Sequence, residues 1–221
     1  MAIAVDATSK HGTQPLGTSP GTWSHTCTGS NLLLVVGIFC SNDSADLVTE
    51  VTYNSVALTR INTLSNNGRV YLYALAGPTT GANTVSVSWT GVSKNHNLGA
   101  VSYTDVSQSG IPDSSNTGGV TGTSLTVSTT TVADNSWLVG MFANDGGTYS
   151  VGSGTVERIT YDTTNRTLID SGGAKSPAGS YSLIMSNSTS NQLIMAMMSF
   201  APVAVATVGK RAANIILTKV G

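Results

Sequence analysis

Charge is what this chain has least of. Only 10% of its 221 residues are Asp, Glu, Lys or Arg, against about 25% in an ordinary soluble domain. A surface so poor in ions lacks the dense Lys/Arg stripe that neutralises phosphates, so nucleic acid is not expected as a partner. Cysteine is scarce as well, with Cys27 and Cys40 near the ends of successive predicted strands. If residues 28–31 form a tight hairpin, Cys40 sits on the order of 20 Å from its partner's level, far outside disulfide reach. Two free, buried thiols are expected, and their spacing, with no nearby His pair, suits no zinc site. Long apolar runs are missing too: Leu32 to Cys40 has less than half of the roughly 20 residues a membrane helix needs. Met1 to Asp6 has no basic n-region, and polar residues follow before an apolar core can form. The reading is therefore a chain without membrane span or signal peptide, made in a host cytoplasm.

Catalytic signatures are equally thin. His11, His25 and His96 are dispersed, and each reads as a polar surface residue. There are two glutamates, Glu50 and Glu157, each just after the hairpin that follows an apolar strand. They read as structural equivalents and not as an acid–base pair, which needs carboxylates about 5 to 10 Å apart. Gly152-Ser-Gly154 lies in a Gly-rich turn with no His after it, so no nucleophile elbow forms, and no Gly-rich segment runs into Lys-Ser or Lys-Thr. The chain is expected not to be an enzyme and to need no cofactor. Calcium is the one metal candidate. Asn42, Asp43 and Asp46 place oxygen ligands in one loop, although without the full pattern of a dedicated calcium loop.

What fills the space left by charge is Ser, Thr, Asn and 24 Gly. Apolar and polar residues alternate with period two. Thr84 to Trp89 puts Val85, Val87 and Trp89 on one face and hydroxyls on the other, as a half-buried strand does. The pattern predicts strands over 2–6, 22–27, 32–40, 47–53, 56–63, 69–75, 84–89 and 97–104. A second series runs over 124–130, 136–143, 155–161, 166–170, 180–185 and 192–200. Leu32–Cys40 and Gln192–Phe200 are apolar at consecutive positions, which suits strands covered on both faces. Trp23, Trp89 and Trp137 read as core residues, while Tyr149, Tyr161 and Tyr181 are less constrained and open to a sugar.

The two series are related. Asn31-Leu-Leu-Leu-Val-Val-Gly-Ile-Phe39 returns at Asn135, an offset of 104, and Leu98-Gly-Ala-Val-Ser-Tyr103 is echoed by Met195-Ala-Met-Met-Ser-Phe200, an offset of 97. The fold class expected is all-β: a jelly-roll-like β-sandwich built from two related halves, with a C-terminal extension. Residues 1–21 are an N-terminal arm or edge strand, and 22–203 are the sandwich. Its halves are 22–106 and 124–203, joined by the polar, Gly-rich linker 107–123. A crossover within one interleaved sandwich is preferred to a link between two domains, because either half alone would leave an apolar strand poorly covered. Residues 204–221 form a C-terminal arm. It carries three of the chain's ten basic residues (Lys210, Arg211 and Lys219) and the apolar cluster Ile215, Ile216 and Leu217, which the sandwich does not need. These arm residues, with Lys210 and Arg211, are the assembly candidates, pairing with a neighbouring subunit's sheet edge or adding an edge strand to their own.

A long apolar strand followed by Val51-Thr-Tyr-Asn-Ser-Val-Ala-Leu-Thr-Arg60, Val70-Tyr-Leu-Tyr-Ala-Leu75, Gly81-Ala-Asn-Thr-Val-Ser-Val87 and Ala100-Val-Ser-Tyr-Thr-Asp-Val106 resembles β-sandwich modules of bacteriophage structural proteins and of large bacterial surface proteins. The resemblance spans residues 22–203 and is one of rhythm and composition. It implies a virion protein, such as a decoration, capsid or fibre component, whose partners are itself and other virion proteins. The alternative is a carbohydrate-binding or adhesion module that meets cell-surface glycan.

Overall fold

Residues 2–12, 18–41, 45–91, 96–161 and 165–204 are described by the computed structural model. They form the strands β1 (Ala4–Lys10), β2 (Gly21–Cys27), β3 (Leu33–Ser41), β4 (Val48–Tyr53), β5 (Val56–Ala57), β6 (Thr59–Ser65), β7 (Gly68–Ala76) and β8 (Gly81–Trp89). Then come β9 (His96–Thr104), β10 (Ser114–Thr130), β11 (Trp137–Asn144), β12 (Tyr149–Val151), β13 (Val156–Thr160), β14 (Arg166–Asp170) and β15 (Ser180–Phe200). All pairs are antiparallel. The protein is all-β.

The first half makes two sheets, ordered β1-β9-β3-β7-β6 and β2-β8-β4-β5. The second half repeats this wiring as β10-β15-β11-β14-β13, with β12 on β15. Here β10 and β15 each serve in two layers. Ser114–Gly122 pairs with Asn191–Ser199, the register breaks between Gly122 and Ser124, and Ser124–Thr130 pairs with Ser180–Ser186. The strand folds over at the break, so Asn116 Nδ2 donates to Ser128 O (2.8 Å) and a Cβ on Gly118 would run into Val127. The two stretches of β10 thus stand where β1 and β2 stand, and those of β15 where β8 and β9 stand. Register agrees with this: Leu33 pairs with Tyr103 as Trp137 pairs with Phe200, so the offsets read from the sequence hold in space.

Four layers result. The two inner sheets meet back to back, with Leu33, Val35, Val101 and Tyr103 of the first half against Trp137, Val139, Met141, Met198 and Phe200 of the second. Each outer layer closes a core of its own. Trp23, Val51, Val85 and Val87 cover Leu34, Val36 and Ile38, while Leu125, Val127, Leu183 and Met185 cover Leu138, Phe142 and Met195. Strands β3, β9, β11 and the end of β15 are therefore buried on both faces, the physical reason for their unbroken apolar runs.

The halves are arranged about an approximate two-fold axis. Strand β6 lies over β10 and β1 over β13, each contact being the image of the other, while β3 lies over its own equivalent β11. Symmetry is broken where it matters for packing. Gly37 and Gly99, opposite one another on β3 and β9, leave a notch filled from the second half by Tyr161, Ile159, Leu168 and Met141. A Cβ at Gly37 would lie 2.6 Å from Leu168 Cδ1, and one at Gly99 would lie 2.8 Å from the Tyr161 ring. Tyr161 Oη donates to Gly37 O at 2.9 Å.

Several expectations change. Residues 114–123 are not linker but the first stretch of β10, so the second half begins there and not at 124. Two sandwiches stack, in place of one interleaved sandwich, because the inner sheets cover each other's apolar strands. The N-terminal segment is an edge strand, Ala4–Lys10 on β9, and belongs to the first half. The strand expected over 56–63 divides between both sheets as β5 and β6, and β12 was not expected.

Candidate functional site

Alternation along β2 turns Trp23, His25 and Cys27 inward. That places His25 between β1 and β9, not on the surface as the sequence reading had it, and it is 1% exposed. Around it runs a directed chain of hydrogen bonds. Asp6 accepts the Ser102 hydroxyl proton at 2.7 Å, so Ser102 Oγ must accept from His25 Nε2 at 3.0 Å. His25 Nδ1 is then the acceptor for the Ser9 hydroxyl at 2.7 Å, and Ser9 Oγ accepts from the Trp23 indole at 2.9 Å. Burial holds the imidazole neutral, bringing its pKa down to about 4 against the pull of Asp6. Burial alone would raise the Asp6 carboxyl, but the hydrogen bonds from Thr28 and Ser102 outweigh it and hold it below 3.8.

Ser, His and Asp in one cluster invite a hydrolase reading, and the geometry argues against it. In a catalytic triad the acid holds one imidazole nitrogen and the nucleophile the other. Here a serine occupies each nitrogen and the carboxylate reaches the ring only through Ser102. The cluster has the form of a polar clasp joining β1, β2 and β9. His96 is also buried, stacked on Trp89 with centroids 4.2 Å apart, contrary to the surface position expected.

Glu157 and Asp170 are similarly occupied. Glu50 is on β4 and Glu157 on β13, whose first-half equivalent is β6, so the two glutamates are not equivalents as expected. Glu157 accepts from Tyr149 Oη (2.6 Å) and from Thr160 Oγ1. Asp170, fully buried, accepts from Arg158 Nε (2.6 Å), Tyr103 Oη (3.1 Å) and the Gly172 N–H (2.8 Å). Of the calcium candidates, Asp46 is ion-paired with Arg60 at 2.6 Å, while Asn42 and Asp43 lie outside the described residues. No cluster of three potential metal ligands occurs among the described residues. Cys27 and Cys40 are free and buried. The arm residues Lys210, Arg211, Ile215, Ile216 and Leu217 lie outside the described residues. No helix long and apolar enough to cross a membrane occurs among the described residues.

What the fold presents outward is hydroxyl. Thr22, Ser24 and Thr26 of β2 stand beside Ser86 and Thr84 of β8, and Ser124, Thr126, Ser128 and Thr130 of β10 beside Ser186, Ser182 and Ser180 of β15. Glu50 is the one charged residue on these two outer faces among the described residues. Trp23, Trp89 and Trp137 are all buried, as expected. Of the tyrosines left open to a sugar, Tyr161 is buried between the halves, Tyr149 is tied to Glu157 and Tyr181 donates to Pro177 O. Among the described residues, the large hydrophobic side chains that remain exposed are valines. A cleft of about 470 Å³ is lined by Ile3, Asp134, Asn135, Ala174 and Pro202. The Asp134 carboxylate beside it is taken by the Ala178 N–H.

The chain matches no protein-family model, no curated protein and no solved structure.

Proposed function

We propose that the protein is a non-enzymatic structural component of a virus or phage particle, a decoration, capsid or fibre subunit that assembles with itself and with other virion proteins. The observation that carries this reading is the pair of hydroxyl-covered, nearly ion-free outer faces on a doubly stacked sandwich. Such faces pack on neighbouring protein without the cost of desolvating charges. The wiring favours it as well. In each half the order β1-β9-β3-β7 facing β2-β8-β4-β5, or its repeat, is read as that of a jelly roll, an architecture shared by capsid and lectin domains. The lectin alternative draws on the same wiring but needs an exposed aromatic platform. The tryptophans and five of the seven tyrosines are buried, and half-buried Tyr149 and Tyr181 are hydrogen-bonded to Glu157 and to Pro177 O.

Two measurements on the full chain decide between the readings. Light scattering across a concentration series is expected to show a defined oligomer or particle, and a glycan array is expected to be blank. A monomer at every concentration together with saturable glycan binding would replace the structural reading with the lectin one. Ile216→Asp tests the arm: assembly through residues 210–217 predicts a smaller particle.

A further inference from the structure

An antiparallel edge strand turns every second N–H and C=O away from its neighbour, a ready template for another strand, and proteins guard such edges with charge, proline, bulges or shortness. The edges here fall into two groups. Strand β1 carries Asp6 and Lys10 and a register break between Val5 and Ala7; β6 carries Arg60 and a break between Arg60 and Asn62. Strand β13 carries Glu157 and Arg158 and a break between Glu157 and Ile159, while β5 has two residues and β12 three. Strand β2 has no charge, but Pro20 stands just before it and β1 lies alongside it.

Over its first stretch β10 has none of this protection. The strand is 17 residues long, pairs only with β15 among the described residues, and has neither charge nor proline, and its register break between Gly122 and Ser124 lies at the end of that stretch. Its first stretch runs unbroken from Ser114 to Gly122, and Ser115, Asn116, Gly119, Val120 and Thr121 are exposed. Ser115 and Asn116 have interactions of their own and the Thr117 N–H is accepted by Asn116 Oδ1, so the open run is 118–122. This stretch is the equivalent of β1, so one position in the fold is guarded in the first half and left open in the second.

The geometry points to the edge of β10, residues 118–122, as a self-association surface whose occupant is β10 of a second copy, added antiparallel about a two-fold axis. Self-pairing suits this strand because an isologous contact sets each residue against its own kind, and β10 has no charge to repel its image. Gly118, Gly119 and Gly122 leave the backbone uncrowded. The joined edges make one sheet continuous across two molecules, β13-β14-β11-β15-β10 followed by its mirror order. The proposal rests on the assembly reading above and locates one of its contacts.

Thr121→Lys in the full chain is the test, with Thr80→Lys in the turn before β8, on neither outer face, as the control for added charge. Both positions are exposed, so both variants should fold. By sedimentation velocity, Thr121→Lys is expected to weaken association at least tenfold and Thr80→Lys to leave it unchanged. Hydrogen exchange of the 118–122 amides should slow with rising concentration in the wild type alone. If the wild type associates and Thr121→Lys associates equally well, the β10 contact is overturned and assembly stands. If the wild type is monomeric throughout, both are overturned.

Discussion

In the first half, the strand ending one sheet and the strand beginning the next are separate, β1 and β2, with residues 11–20 between them. In the second half they are one strand, β10, folded over at Gly122. The same juncture is therefore closed in two ways. The first half uses the chain Trp23–Ser9–His25–Ser102–Asp6. The second places Thr129 at the position of His25 and joins it to Ser114, which pairs with Ser199, the equivalent of Ser102. The halves differ again at the inner sheets: Ala74 beside Val35 becomes Asp170 beside Val139. Wiring is thus held by the apolar pattern of the central strands, while the polar details are free to diverge wherever each remains satisfied.

The largest effect is expected at Asp170. Arg158→Met leaves a fully buried carboxylate with only Tyr103 and the Gly172 N–H, and the loss of one partner of such a pair costs about 3–5 kcal/mol. Adding Asp170→Ala restores the apolar solution of the first half. The double variant should regain at least about 1 kcal/mol over Arg158→Met, read from urea midpoints at constant slope. A double variant no more stable than the single one would show that the acid is not a substitute for Ala74 but a necessity.

Acid should act next, and through the first half. The folded protein holds His25 at about 4 against 6.5 for the free side chain, so between these values the unfolded chain binds more protons. Stability is then fully present above pH 6.5 and falls as pH drops towards 4, by up to about 3 kcal/mol at one pH unit per 1.36 kcal/mol. Asp6 adds to the loss in the same direction, but below its ordinary 3.8. His25→Thr, the residue of the second half, should flatten the slope between pH 6.5 and 4. A wild-type slope that survives this change would place the titrating group elsewhere.

Much of this was legible in the sequence, and the misses have physical causes. Strands buried on both faces announce themselves by unbroken apolar runs, which is why the repeat anchored on Leu33 and Trp137 could be seen. The first stretch of β10 could not. Its Ser, Thr and Gly face solvent at a sheet edge, where no alternation is enforced, so it reads like a linker. His25 had a signal that was passed over: it sits between Trp23 and Cys27 at the inward beat of β2. The non-equivalence of Glu50 and Glu157 was hidden, since only pairing shows that β13 answers to β6. The exposed hydroxyl faces follow directly from composition, for with so little charge there is little else to put outside.

Smallest, and most specific to how the halves meet, is the hydroxyl of Tyr161. The ring fills the notch that Gly37 and Gly99 leave, while Met141 takes the place in β11 that Gly37 holds in β3, so knob and hole are assigned to different halves. Tyr161 is 4% exposed, and burial pushes its hydroxyl pKa far up, so it stays a donor at any accessible pH. Tyr161→Phe keeps the ring in the notch and removes only the bond to Gly37 O, an expected loss of about 1 kcal/mol in urea unfolding. If the phenylalanine variant is as stable as the wild type, shape alone fits the halves together. If it loses several kcal/mol, the bond positions the ring, and the notch depends on a hydroxyl to be filled.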